Sequence, residues 1–198
     1  MTTMADQEVS GLSLRIPGDW FAVDVPKDGA AADRLADELV TAYQATACPP
    51  GLLRTMVRQM VHAYSALGLA GAYVGIFSGA GGPLSMTLIV STRLVDGYTM
   101  DEISAELIAQ DTAVRRRTAV QVELPAGPAV RAEWVRDWPT LAEGWRKACL
   151  VVQYVLVPKP SQSAVILTFS TEAIEYTSKL RPLFDQIART VRLEVPSS

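Results

Sequence analysis

Apolar and polar positions alternate along this chain in ways that mark out strands and helices, and the clearest pattern lies near its end. Residues 148–157 are apolar almost throughout, with Gln153 as the polar break. The turn Pro158-Lys159-Pro160-Ser161-Gln162 follows, and 164–169 run apolar again. A strand apolar on both faces needs cover on both, so this hairpin is expected in the middle of a sheet. Beyond it Leu180, Leu183, Phe184, Ile187 and Val191 recur at three- and four-residue spacing, the stripe of a helix that covers one side of the hairpin.

Upstream, Leu12, Leu14 and Ile16 alternate with Ser13 and Arg15 in a short half-exposed strand. Pro17-Gly18-Asp19 turns the chain into a second strand over 20–25, with Phe21, Val23 and Val25 on one face. A helix over 30–45 sets Leu35, Leu39, Val40 and Tyr43 inward and Asp33, Arg34, Asp37 and Glu38 outward. A second helix over 52–67 carries the broad stripe Leu53, Met56, Val57, Met60, Val61, Tyr64 and Leu67. Strands over 72–78 and 84–92 form a hairpin around Gly79-Ala80-Gly81-Gly82. Thr99 and Glu102 have capping-box spacing and start a third helix with Ile103, Leu107 and Ile108 on its buried side.

Arg115-Arg116-Arg117 reads as the solvated end of that helix, where cations suit the dipole. Val120, Val122 and Leu124, then Val130, Ala132 and Trp134, alternate with polar residues in two strands joined by Pro125-Ala126-Gly127-Pro128. Residues 137–146 read as a connection carrying Trp138 and Trp145. The strands are joined by short turns, which only antiparallel pairs accept. They also cluster rather than alternate with helices. The class is therefore α+β, a single antiparallel β-sheet flanked by helices.

Composition narrows this further. A chain of 198 residues, 49% hydrophobic, supports one domain over 1–198, with residues 1–10 expected to be disordered. A net charge of −3 speaks against nucleic acid as a partner. The plentiful Ala and Arg fit a GC-rich bacterial genome. Two cysteines, Cys48 and Cys149, do not make a disulfide scaffold. The first ten residues have neither a basic n-region nor an apolar h-region, so a cytoplasmic protein is expected. From Gln59 to Thr92 no Asp, Glu, Lys or Arg occurs. The Gly79–Pro83 break and the alternation after it make this run a buried hairpin rather than a membrane span, which needs about 20 continuous apolar residues.

Two stretches resemble the Mog1/PsbP-like fold family in its small bacterial, actinobacterial form. One is the opening Leu14-Arg15-Ile16-Pro17-Gly18-Asp19-Trp20. The other runs from the strand ending Thr168-Phe169-Ser170 to the closing Leu183-Phe184-Asp185-Gln186-Ile187-Ala188-Arg189-Thr190-Val191-Arg192. The helical stretch over 30–67 is longer than the simplest family pattern, and the first strand pair lies close to the N-terminus. The resemblance implies a non-enzymatic protein that binds another protein, since known members bind a small GTPase or dock on a photosynthetic complex.

Catalytic chemistry is thinly supplied. The one histidine, His62, falls mid-helix, where a structural role is the ordinary one. No nucleophile elbow, calcium loop or metal-ligand spacing is present. Gly79-Ala80-Gly81-Gly82 leads into a strand and has no lysine nearby, unlike a phosphate loop. No cofactor is expected. Trp138, Trp145, Arg115, Arg116 and Arg117 are the candidate partner-binding residues, because aromatic residues and Arg dominate binding hot spots. The reading is a cytoplasmic, non-catalytic adaptor, accessory or chaperone-like factor, with a homo-oligomer also compatible. The alternative is a small apolar-ligand module with a pocket between the 52–67 helix and the sheet.

Overall fold

In a computed structural model the chain is described over residues 4–9, 12–23, 71–79, 82–95, 97–109, 114–139, 146–158 and 163–193, together with 33, 34, 37, 38, 41, 51 and 54. Ten strands are formed among the described residues: β1 (Met4–Val9), β2 (Leu12–Pro17), β3 (Trp20–Ala22), β4 (Gly71–Gly79), β5 (Gly82–Leu94), β6 (Val114–Leu124), β7 (Gly127–Pro139), β8 (Arg146–Leu156), β9 (Ser163–Thr171) and β10 (Arg192–Leu193). Helix α1 (Met100–Ala109) lies between β5 and β6, and α2 (Thr177–Arg189) between β9 and β10.

The α+β class holds, with every strand pair antiparallel, but the sheet is divided. A three-stranded sheet has the order β1-β2-β10, and a seven-stranded sheet the order β3-β4-β5-β9-β8-β7-β6. Residues 1–10, expected to be disordered, include β1, which pairs Met4 with Pro17 through Val9 with Leu12. Its polar sequence hides it. The pairing follows from β2, whose Leu12, Leu14 and Ile16 are buried, so that its backbone edge invites a neighbour.

The β8–β9 hairpin occupies the middle of the larger sheet, as a pair apolar on both faces must. Leu150, Val152, Tyr154, Leu156, Val165, Leu167 and Phe169 point into one core with α2 and β2. Val155, Ala164 and the partly buried Ile166 point into a second core with Ile103 of α1. On α2, Leu180, Phe184, Ile187 and the following Val191 are buried and Leu183 packs beside them, which is the expected stripe. Thr190 Oγ1 accepts the N–H of Arg15 at 2.8 Å and donates to the Ile187 carbonyl at 2.7 Å, pinning the smaller sheet to the end of α2.

The capping box is present: the Glu102 carboxylate accepts from Thr99 N and Oγ1, both at 2.8 Å, and these bonds lower its pKa. Of the three residues expected beneath α1, Ile103 is buried and Leu107 half-buried, while Ile108 is exposed. The 30–45 and 52–67 helices fall mostly outside the described residues, as do His62, Cys48 and Trp145. Asp33, Arg34, Asp37 and Glu38 are helical and exposed, on the outward side assigned to them. Arg54 pairs with Asp37 at 2.6 Å. Gly79 and Gly82 are register partners at the end of the β4–β5 pairing, so both belong to strands.

One glycine is required by contact. Gly75 of β4 lies opposite Trp20 of β3, and a Cβ on it would meet Trp20 Nε1 at 2.7 Å and Cε2 at 2.8 Å. Trp20 is buried and the clash involves its rigid ring. Gly75→Ala is therefore expected to cost about 1–3 kcal/mol in a urea melt, the range of overpacking. An unchanged midpoint would show that Trp20 moves aside freely.

Candidate interaction surface

The arginine run does not end a helix. Arg115, Arg116 and Arg117 belong to β6, whose register with β7 shifts between Arg115 and Thr118. This bulge breaks the period-two pattern, so the run does not read as strand in the sequence. Arg117 is committed internally. Its Nη1 donates to the Leu107 carbonyl of α1 at 2.6 Å, and its guanidinium lies 4.8 Å from the centre of the Trp134 ring. Trp134, on the apolar side of its alternating strand, is half-buried beneath this cation.

Residues 137–139, expected in a connection, extend β7 instead, so Trp138 is a strand residue opposite Lys147 of β8. The connection reduces to 140–145, outside the described residues, and includes Trp145. Register then brings candidates together. Val114 pairs with Arg136 and Arg115 with Val135, so Trp138 lies two positions beyond the start of β6, about 7 Å along the strand. Arg115, Arg116, Arg117 and Trp138 thus share one corner of the seven-stranded sheet. β6 is the outermost strand there, with β7 as its one neighbour among the described residues.

A second polar feature, which the alternation of β7 does not mark, lies inward of this edge. Arg131 and Glu133 of β7 face α2 rather than solvent. Arg131 Nε donates to Asp185 Oδ1 at 3.1 Å and to Tyr154 Oη at 3.2 Å, and Nη2 donates to Glu133 at 3.0 Å. Tyr154 donates its hydroxyl to Asp185, and Arg181 Nε donates to both Glu133 oxygens at 2.9 Å. Burial, followed by the Asp185 carboxylate, raises the Tyr154 pKa. Burial acts to raise Glu133, but the hydrogen bonds from Arg181 and Arg131 outweigh it and hold its carboxyl below its ordinary value. The five side chains satisfy one another between sheet and helix. They clamp α2 in place.

The opposite face of the sheet carries a row of polar contacts. Gln153, the polar break noted in β8, donates to Thr168 Oγ1 at 3.0 Å, and Thr87 and Ser170 hydroxyls meet at 2.5 Å. Cys149 is buried and unbonded to another sulfur; burial, the largest influence, pushes its thiol up to about 11. It is protonated at neutral pH.

The hollows among the described residues include two beside polar side chains. One of about 110 Å³ separates α1 from the sheet, beside Arg93, Glu106, Gln153 and Ile166. It is smaller than the roughly 300 Å³ at which ligand pockets begin. The expected pocket against the 52–67 helix falls outside the described residues. The other, of about 320 Å³, lies beside Arg15, Arg189 and Arg192. Arg192 Nη1 donates to the carbonyls of Val191 at 2.9 Å and Arg189 at 3.3 Å, so it caps the end of α2. Among the described residues no group of three or more His, Cys, Asp and Glu side chains comes together, and no helix is long and apolar enough to cross a membrane.

The divided antiparallel sheet, its closing helix and the order of elements make this the Mog1/PsbP-like fold that the opening and closing stretches implied. Among solved structures the chain is similar to LpqN of Mycobacterium tuberculosis, a protein involved in cell envelope biogenesis. Identity is 13%, the TM-score is 0.50, and the match covers 98% of this chain and 91% of that one. Cyanobacterial PsbP from Synechocystis sp. PCC 6803 matches at 12% identity and a TM-score of 0.49, over 98% of this chain and 94% of that one. The Ran-binding protein Mog1p of Saccharomyces cerevisiae matches at 8% identity and a TM-score of 0.49, over 98% and 96%. At such identities the likeness is one of fold. No protein-family model and no curated protein sequence matches the chain.

Proposed function

We propose that this protein is a non-catalytic interaction module, acting in the cytoplasm, that docks on another protein through the corner where β6 begins and β7 ends. The observation that carries this reading is the register of β6 on β7, which brings the strand positions of Arg115, Arg116 and Trp138 to one corner of the sheet, beside the internally held Arg117. Arg and Trp supply large contact area with a fixed polar geometry, and a cluster of them at a sheet margin suits a hot spot. Trp145 precedes the first residue of β8, Arg146, which pairs with Pro139, and belongs to the same proposal. The polar clamp of Arg131, Glu133, Tyr154, Asp185 and Arg181 supports a structural rather than a reactive role, because its groups are consumed in bonds to each other.

The test compares what co-purifies with the tagged chain and with its Arg115→Glu/Arg116→Glu variant, both confirmed as folded by thermal melting. A partner recovered with the first and reduced at least tenfold with the second is expected. Trp138→Ala is expected to act in the same direction. Equal recovery with both chains, or a wild-type chain that comes out alone at every salt concentration, would sink the reading.

A further inference from the structure

The geometry points to strand addition beside this corner: the outer edge of β6, running from the corner over 118–124, takes up an extended acidic segment of the partner as a further strand of the sheet. This rests on the docking corner just described and names what that corner receives. Among the described residues β6 ends the strand order of the seven-stranded sheet. From Thr118 to Leu124 its register with β7 is unbroken, pairing in turn with Glu133 through Gly127. A regular edge strand turns alternate N–H and C=O groups outward, and an incoming strand satisfies them. Along this stretch Thr118, Val120, Gln121 and Glu123 are exposed, and Val120 is 52% exposed, unusual for a valine. Thr118, Val120 and Val122 alternate onto one face of the strand, so β-branched residues at alternate positions of the guest find apolar contact there.

Charge sets the chemistry of the guest. Three consecutive arginines precede the regular stretch, whereas Glu123 is the one acidic residue in β6. Arg117 is held by Leu107 and Trp134, so a strand lying on this edge gains most by carrying carboxylates where it passes Arg115 and Arg116. A second copy of the chain is a poorer guest. Its own β6 brings arginines rather than carboxylates, and the bulge between Arg115 and Thr118 bends the edge away from a long homotypic pairing.

The full ¹⁵N-labelled chain would be titrated with a nine-residue synthetic peptide of alternating valine and threonine carrying three glutamates at one end. Two controls replace the glutamates by lysines, or N-methylate alternate backbone amides. The glutamate peptide is expected to shift the amides of 118–124, slow their exchange, and bind at least tenfold tighter than either control. The inference is overturned by equal binding of the N-methylated peptide, which would mean charge without strand pairing. Equal binding of the lysine peptide, shifts confined to other strands, no binding at millimolar peptide, or dimerisation of the chain through β6 would overturn it as well. If no peptide binds but Arg115→Glu/Arg116→Glu still loses the partner, the docking corner survives and strand addition alone is lost.

Discussion

Phe184→Ala is expected to lower the free energy of unfolding by about 3–5 kcal/mol, the range for emptying a buried aromatic site. Phe184 is fully buried, and its ring stacks on Phe169 with centroids 4.7 Å apart and planes 19° apart. Phe169 in turn meets Tyr154 in a T-shaped contact, with centroids 6.0 Å apart. This short aromatic stack joins α2 to both strands of the central hairpin, so truncating its outermost ring leaves a hole bounded by three elements. The whole stability of an ordinary domain is roughly 5–15 kcal/mol, so the variant should sit near its folding limit. Urea melts of wild type, Phe184→Ala and the exposed control Gln186→Ala would measure it. A loss for Phe184→Ala no larger than the roughly 0.5 kcal/mol typical of a surface change would contradict the stack as the junction of helix and sheet.

Glu133→Gln is expected to cost about 2 kcal/mol at neutral pH, within the range for hydrogen bonds to charged groups. The Glu133 side chain is 13% exposed and receives Arg131 and Arg181, which are 17% and 46% exposed. The glutamine keeps the shape but removes the charge that both guanidinium groups face. The exposure of Arg181 keeps the cost below that of a fully buried pair. Because the Glu133 pKa is lower folded than unfolded, its contribution is complete above the ordinary value of 4.5. It declines as pH falls through the lowered folded value. The gap between wild type and Glu133→Gln should therefore be widest at neutral pH and close on acidification. A gap that stays constant down the pH series would show that the charge of Glu133 does not carry the effect.

What could be read in the sequence follows from where periodicity survives. The central hairpin announces itself because β8 and β9 are buried on both faces, and the α2 stripe because Leu180, Phe184, Ile187 and Val191 keep helical spacing. The capping box at Thr99 is local chemistry and needs no tertiary context. By contrast, β6 begins with an arginine run whose bulge interrupts alternation, so it reads as a helix end. β1 is polar and owes its order to pairing with β2, which no local pattern records. Arg131 and Glu133 look like the solvent face of an alternating strand. Asp185 and Arg181, four residues apart beside the buried stripe of α2, are the signal that could have suggested partners across the interface.

The candidate surface was legible as residue types and not as a place. Twenty residues of sequence separate the run Arg115, Arg116, Arg117 from Trp138. They meet only because β7 continues three residues past the start of β6. That extension depends on pairing with β8, where Pro139 meets Arg146, and is invisible until the strands are aligned.

Hydrogen–deuterium exchange of the chain, alone and in complex with the partner it recovers, bears most directly on the interaction corner. Slowed exchange concentrated in 114–124 and 136–139, with the α2 side of the molecule unchanged, is the predicted result. Protection that falls on other strands while β6 exchanges as fast as in the isolated chain would contradict it.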